Sequence, residues 1–341
     1  MKALVYHGPN DMRMEDVPTP QPAEGEVRLQ IKAVGICGSD LHGYLGLTGR
    51  RTPPMMMGHE FTGVVETLGE GVNNLCIGER VACYPVSFCG HCDRCLNGEE
   101  HLCPERKQYG VLSCNGALAE YLCVPAKCCF PLANSTSLEV GTIVEPLAVS
   151  YRAVAKAGAL TSKHVMVVGA GTIGLLTLAC IVAQRPTSLT VVDLNETRLN
   201  VALKLGATHI IRSDVDDVPA QVRQITAGQG MDVTFEAVGA SSAVALTIST
   251  LRAGGQAVWI GNNQPTVQIN MQQVVTRELT VQGSFLYSYS EFSTVVKLLN
   301  DSALHVEPIV NRIEPFDKGC EIFSEMIHNP GTTLKCVLVQ Q

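Results

Sequence analysis

Residues 165–183 read VMVVGAGTIGLLTLACIVA, an apolar run of strand character, a glycine-spaced turn and a second apolar run that Gln184 and Arg185 bring to an end. The stretch is about long enough to span a bilayer, so the first choice lies between a membrane helix and a strand–turn–helix unit. The glycines decide for the second: Gly169, Gly171 and Gly174 stand in G-x-G-x-x-G register, where a phosphate-binding turn needs them. Gly169 permits the tight turn, Gly171 lets backbone approach a pyrophosphate, and Gly174 lets helix and strand pack closely. Thr172 and Ile173 open the helix, whose first N–H groups have no partner within it and face the anion. Such a motif alone is weak, because glycines cluster in ordinary turns. Here VVDL closes the next strand and sets Asp193 about 20 residues further on, where an acid can accept hydrogen bonds from the adenosine ribose.

Working outward, strand and helix patterns alternate. Strand 188–194, helix 196–206, strand 208–212 and helix 219–227 are followed by strand 231–239, helix 241–255 and strands 256–261 and 278–285. That βα alternation predicts an α/β domain with a doubly wound parallel sheet over 149–285. Asp193 favours NAD, since its carboxylate would repel the extra phosphate of NADP; Arg198 either stacks on the adenine or, in a rival reading, holds that phosphate. The bland reading of Asp193 is a helix cap or a solvated strand-end acid.

Residues 1–148 have another character: short β-rich pieces such as EVRLQIKAVG and FTGVVETLG, punctuated by Gly and Pro. Residues 286–341 hold helix-like segments at 290–300 and 319–327 and a terminal strand, KCVLVQ, able to return to the first domain. A chain of 341 residues with net charge −7 and no basic stripe fits two domains and excludes nucleic acid as an expected partner. The N-terminus lacks the apolar run of a secretory signal, so a cytoplasmic protein without membrane partners is expected.

In such a compartment cysteines are more often metal-binding or catalytic than disulfide-bonded. CGHCDRCLNGEEHLC, residues 89–103, gathers Cys89, Cys92, Cys95 and Cys103 at a spacing suited to a closed tetrahedral zinc site. An iron–sulfur reading needs a different partition of the cysteines. His91 and His101 within the loop read as solvated residues, and Cys128, Cys129 and Cys180 as buried small ones. Upstream, GICGSDLH and GHEF supply Cys37, His59 and Glu60, a mixed donor set suited to a catalytic zinc with one open position. Taken singly, Cys37 and His59 would more often be core residues.

These motifs resemble the zinc-dependent medium-chain dehydrogenase/reductase family across essentially the whole chain: GICGSDLH, GHEFTGVVETLGEGV, GERV, the four-cysteine lobe, GALAEYLCVP, EPLAV and GAGTIGLL stand in the family's order. The resemblance implies a GroES-like β-rich catalytic domain, completed by the C-terminal segment, with a Rossmann domain inserted. It points to the polyol and threonine dehydrogenase branch, in which Glu145 of EPLAV lies near the zinc as a conditional ligand; otherwise Glu145 is a helix-start carboxylate before Pro146. It implies that zinc favours the alkoxide of a substrate hydroxyl, that carbon releases hydride to NAD, and that the proton leaves through Ser39, the nicotinamide ribose hydroxyl and His42. The alternative is that Ser39 caps a helix starting near Asp40, with His42 on its surface; Asp40 itself reads as support for the packing of the zinc site and not as a proton carrier.

The expected activity is oxidation of a secondary alcohol, a polyol, sugar acid or related compound, with an L-threonine 3-dehydrogenase-like or polyol-phosphate dehydrogenase as alternatives inside the class. A catalytically silent nucleotide-binding protein is the alternative outside it. The branch's sorbitol enzymes carry an aromatic after the relay histidine and an arginine after the GSF-like strand; Gly43 and Leu286 stand there instead, which suggests a differently shaped, less polar pocket. Arg50 and Arg51 are candidate anchors for a substrate phosphate, or else solvated loop residues. The resemblance also implies a homo-oligomer, dimer or tetramer, joined through edge strands near 278–285.

Overall fold

In the computed structural model, which describes residues 1–329 and 331–340, the second half of the chain builds a parallel sheet. Its strand order is His209–Arg212, Ser188–Asp193, His164–Val168, Met231–Glu236, Leu251–Trp259, Thr280–Gly283. Counted along the chain this is the doubly wound order that reverses direction beside the first strand, the crevice where such sheets take dinucleotides. Val165, Met166, Val167, Val191 and Phe235 are buried, because helices cover strands of this kind on both faces. The helix Thr172–Val182 is buried from Gly174 through Ile181 and has no polar stripe, which is why its sequence imitates a membrane span. Among the described residues no helix is long and apolar enough to cross a membrane.

One boundary departs from the sequence pattern, and one helix goes beyond it. The helix expected over 241–255 ends at Thr250, because Leu251 turns extended and pairs with Met231 of the sheet. The helix Val144–Ala157 is read from the sequence only at its start, as the alternative for Glu145: Pro146 sits in the first turn, where a missing N–H costs nothing, while Leu147, Ala148, Ala153 and Val154 are buried.

The chain divides into one unit of residues 1–145, 288–303 and 310–341, and a second of 146–287 and 304–309. In the first unit a mixed sheet is organised around the strand Glu26–Gly35, whose alternate residues Val27, Leu29, Ile31 and Ala33 are buried. Glu60–Leu68, Tyr121–Pro125 and Lys335–Val339 all pair with it antiparallel. The register sets Gly35 opposite both Glu60 and Val337, so the exit of one strand and the starts of two others meet at one end of the sheet. Three segments distant in sequence thus converge just where Cys37 follows.

Candidate metal and dinucleotide sites

The turn after Gly35 leads into the helix Gly38–Tyr44, and its N-cap is Cys37. Ser39 therefore does not cap this helix: the Cys37 Sγ accepts from the Ser39 N–H at 3.4 Å and from the Ser39 hydroxyl at 3.3 Å. Asp40 completes a capping box by accepting from the Cys37 N–H through Oδ2 at 3.2 Å. Cys37, His59 and Glu60 place ligand atoms within 4.8 Å of one another. His59 is buried, and its Nδ1 lies 3.4 Å from Asp40 Oδ1 without a hydrogen bond, which leaves Nε2 for a metal. Burial opposes a charged His59, but Asp40 and Cys37 outweigh it and raise the imidazole well above its ordinary range, so proton and metal compete for that ring.

Glu60 is differently placed from what its neighbour suggests. Both its carboxylate oxygens accept from Lys335 Nζ, at 2.8 and 2.6 Å, and the same ammonium donates to the Ile36 carbonyl at 3.2 Å. The pair is almost wholly buried, with side chains 3% and 1% exposed. Burial alone would lower the Lys335 pKa, but Glu60 and Cys37, with Glu145 behind them, raise it. Glu145 is buried and its charge reaches Lys335, yet its carboxylate is not within the 4.8 Å group. Gly35 is required here, because a Cβ on it would run into the Glu60 carboxylate. Sequence reasoning missed Lys335; the one signal was a cation at the head of an otherwise apolar strand.

Arg51 is a second correction. It does not stand in solvent as a phosphate anchor: its Nη2 donates to Asp40 Oδ1 at 2.7 Å, and the side chains are 2% and 1% exposed. Arg50 is exposed. Burial would raise the Asp40 carboxyl, but His59 and Arg51 hold it far below the usual carboxylate range. Ser39 and His42 lie three residues apart on one helix and therefore on one face, both part-exposed.

In the cysteine lobe, Cys92 precedes the short helix Asp93–Leu96, and the turn Glu100–Leu102 carries the chain to Cys103. The four Sγ atoms lie within 4.8 Å of one another, with Cys89 to Cys95 at 3.8 Å and Cys92 to Cys95 at 3.5 Å. A zinc with four thiolates at about 2.3 Å sets sulfurs about 3.8 Å apart, so the donors fit it. His91 is exposed as expected, while His101 is buried, contrary to its expected solvation. Cys128, Cys129 and Cys180 are buried.

In the second unit, Gly169 adopts φ +102° and a Cβ on Gly174 would overlap the Gly169 carbonyl. Gly171 has nothing within 4 Å of a built Cβ. The Ile173 carbonyl accepts from Ser150 and Thr177, anchoring the start of the helix. Asp193 Oδ2 accepts from the Ala170 N–H at 2.6 Å, and Oδ1 from the Asn195 N–H at 2.8 Å, which ties the acid to the glycine turn. Arg198 stands in the first turn of the helix Glu196–Lys204, its Nε buried without a partner.

Residues 23–134 match the model of the alcohol dehydrogenase GroES-like domain and residues 172–301 that of the zinc-binding dehydrogenases. The chain is 34% identical to a sorbitol dehydrogenase of Arabidopsis thaliana over 89% of its own length and 85% of the relative's. It is 33% identical to an L-idonate 5-dehydrogenase of Vitis vinifera, over 91% and 87%. A zinc-binding dehydrogenase structure from Sinorhizobium meliloti 1021, bound to NADP, superposes with TM-score 0.92 at 27% identity and covers 99% of both chains. The chain belongs to the zinc-dependent medium-chain dehydrogenase family, in its polyol branch. It is a zinc- and nicotinamide-dependent alcohol dehydrogenase, with the GroES-like and parallel-sheet architecture of that class.

Proposed function

We propose that the protein oxidises a secondary alcohol of a polyol or sugar acid, with NAD as acceptor. The observation that carries this reading is the convergence of Cys37, His59 and Glu60 at the end of one sheet, in a chain whose relatives include sorbitol and L-idonate dehydrogenases. Cys37 and His59 would hold the catalytic zinc, with Glu60 and Glu145 able to approach it, and the zinc would supply a Lewis acid for the substrate hydroxyl. NAD would supply the hydride acceptor, seated on the turn Gly169–Gly174 with Asp193 at its ribose. Ser39 takes the proton lost from the substrate hydroxyl, and His42, on the same helix face, delivers it to solvent. Asp40 faces the His59 ring at Nδ1, and Lys335 holds the Glu60 carboxylate in place.

Asp193 also supports preference for NAD over NADP, since its carboxylate, tied through Oδ2 to the glycine turn and through Oδ1 to the start of the next helix, would repel a second phosphate. The four-cysteine lobe takes the structural zinc. Residues 1–148 with 286–341 form the catalytic domain and 149–285 the cofactor domain. Cysteines gathered as metal donors, with no disulfide among the described residues, fit a cytoplasmic setting. The strand Thr280–Gly283 lies at an edge of its sheet, and a homo-oligomer joined there would cover it.

The test is NADH formation by zinc-replete protein across polyols, aldonates, sugar phosphates and L-threonine, with NAD and NADP compared and metal assayed on the same sample. Turnover of a polyol or sugar acid with NAD is expected. Turnover of a sugar phosphate or threonine alone would replace the substrate assignment.

A further inference from the structure

We infer that Arg51 is a positioning residue for the catalytic metal site, acting through Asp40, and that residue 43 is glycine because Arg51 fills its side-chain space. The inference rests on the zinc reading above.

Arginines in exposed loops are ordinarily solvated, and Arg50 is. The next residue turns inward, with its side chain 2% exposed. A Cβ on Gly43 would meet Arg51 Nε at 2.9 Å, Cδ at 3.0 Å and Cγ at 3.2 Å, so any larger residue there displaces the arginine. At its far end Nη2 meets Asp40 Oδ1 at 2.7 Å and lies 3.4 Å from Ser39 Oγ. Asp40 is the hub: Oδ2 holds the Cys37 N–H at 3.2 Å, and Oδ1, the atom Arg51 grips, faces His59 Nδ1 at 3.4 Å. One buried carboxylate therefore holds the backbone of one zinc ligand and stands against the ring of another. Arg51 is the buried partner that holds this carboxylate in that orientation. Gly43, Arg51, Asp40 and the ligands form a single mechanical line in which the arginine hydrogen-bonds Asp40 and Ser39 and reaches the ligands through them.

The experiment measures zinc affinity of both sites by competition with a chromophoric chelator, in wild type, Arg51→Met, Arg51→Lys, Gly43→Ala and the Arg51→Met/Gly43→Ala double variant. Cobalt substituted at the Cys37 site gives its absorption spectrum as a second readout. Wild type should hold two zinc ions per chain; a single ion would remove the zinc reading and this inference with it. Arg51→Met should weaken the catalytic site about 10- to 100-fold, the usual range for loss of an outer-shell partner, and leave the four-cysteine zinc unchanged as the control in the same molecule. Arg51→Lys, keeping the charge, should fall between. Gly43→Ala should weaken the same site and shift its cobalt bands, and should add nothing to Arg51→Met, since both act through one line of contacts. Equal affinity and identical cobalt spectra for Gly43→Ala and wild type would overturn the inference, as would additive effects in the double variant. Should Arg51→Met fail to fold, the Gly43→Ala and Arg51→Lys comparison decides the matter by itself.

Discussion

The four-cysteine lobe and the Cys37–His59 cluster meet the same requirement, a set of metal donors within 4.8 Å, in opposite ways. The lobe draws every donor from residues 89–103 and uses only thiols, so backbone turns suffice to close it. The second cluster draws on Cys37, on His59 with Glu60, and on a strand some 275 residues from Glu60 that brings Lys335. It also buries two carboxylates, Asp40 and Glu60, and each has its own buried cation, Arg51 and Lys335. A closed site needs only its ligands, whereas an open one in a dry setting also needs its charges balanced by groups that do not bind the metal.

The largest effect that can break this comparison comes from cutting one donor from each site. Cys37→Ser should lower kcat/KM by about 10³-fold or more, since a metal Lewis acid supplies several kcal/mol, and should leave the melting temperature near that of wild type. Cys103→Ser should do the reverse: melting falls and proteolysis appears between 89 and 103, with activity per folded molecule retained. Thermal melts and kinetics on the two variants check it, and an unfolded Cys37→Ser beside a stable Cys103→Ser would invert the assignment.

Next in size is Lys335→Met. It leaves the Glu60 carboxylate buried without its cation, which should cost about 3–5 kcal/mol in denaturant unfolding. Lys335→Met with Glu60→Gln should regain much of that loss, because the uncompensated charge is gone. A single variant as stable as wild type would mean that water or the metal replaces the ammonium.

The same contrast explains what the sequence reveals. The lobe and the glycine turn are local patterns, and both are legible because residues a few positions apart in sequence are necessarily close in space. Cys37, His59 and Glu60 are legible as donors, and their meeting follows from strands that read clearly as strands. Lys335 and Arg51 are not legible: nothing in TTLKCVLV or LTGRRTPP separates a buried cation from a solvated one, since that distinction is made by the antiparallel register of Lys335–Val339 on Glu26–Gly35 and by the missing side chain at Gly43. The helix Val144–Ala157 is legible only at its start, where Pro146 follows Glu145, and the end of Ser241–Thr250 is masked by Leu251, Arg252 and Ala253, helix formers that the sheet claims instead.

Asp193 sharpens the comparison in the other unit, where the partner group is a cofactor. Asp193→Asn removes charge but keeps hydrogen-bonding capacity, so the KM for NAD should rise about 10-fold and the preference over NADP should narrow by a similar factor, as expected for the loss of one charge-assisted hydrogen bond. Steady-state kinetics with both cofactors measure it; an unchanged NAD-to-NADP ratio would give the discrimination to other groups, Arg198 first among them.

The smallest expected effect tests whether burial, not pairing itself, makes the Lys335 and Arg51 pairs matter. Asp232 and Arg252 offer the same chemistry, with Nε to Oδ1 at 2.6 Å, but the arginine is 43% and the aspartate 18% exposed. Water competes there, so Arg252→Met should cost no more than about 1 kcal/mol at neutral pH, well below Lys335→Met. Burial would raise the Asp232 carboxyl, but Arg252 and the His164 N–H outweigh it and hold it below its ordinary value. A carboxyl with a lowered folded pKa binds fewer protons when native than when unfolded at intermediate pH. Its stabilisation is therefore fully present above the unfolded pKa of about 3.9 and is lost as pH falls through the folded value. The gap between wild type and Arg252→Met in urea midpoints should accordingly be flat from pH 7 to pH 5 and shrink below about pH 4. A gap as large as that of Lys335→Met would show that an ion pair open to water carries as much stability as a buried one, and the contrast between the two metal sites would then rest on position in the sequence alone.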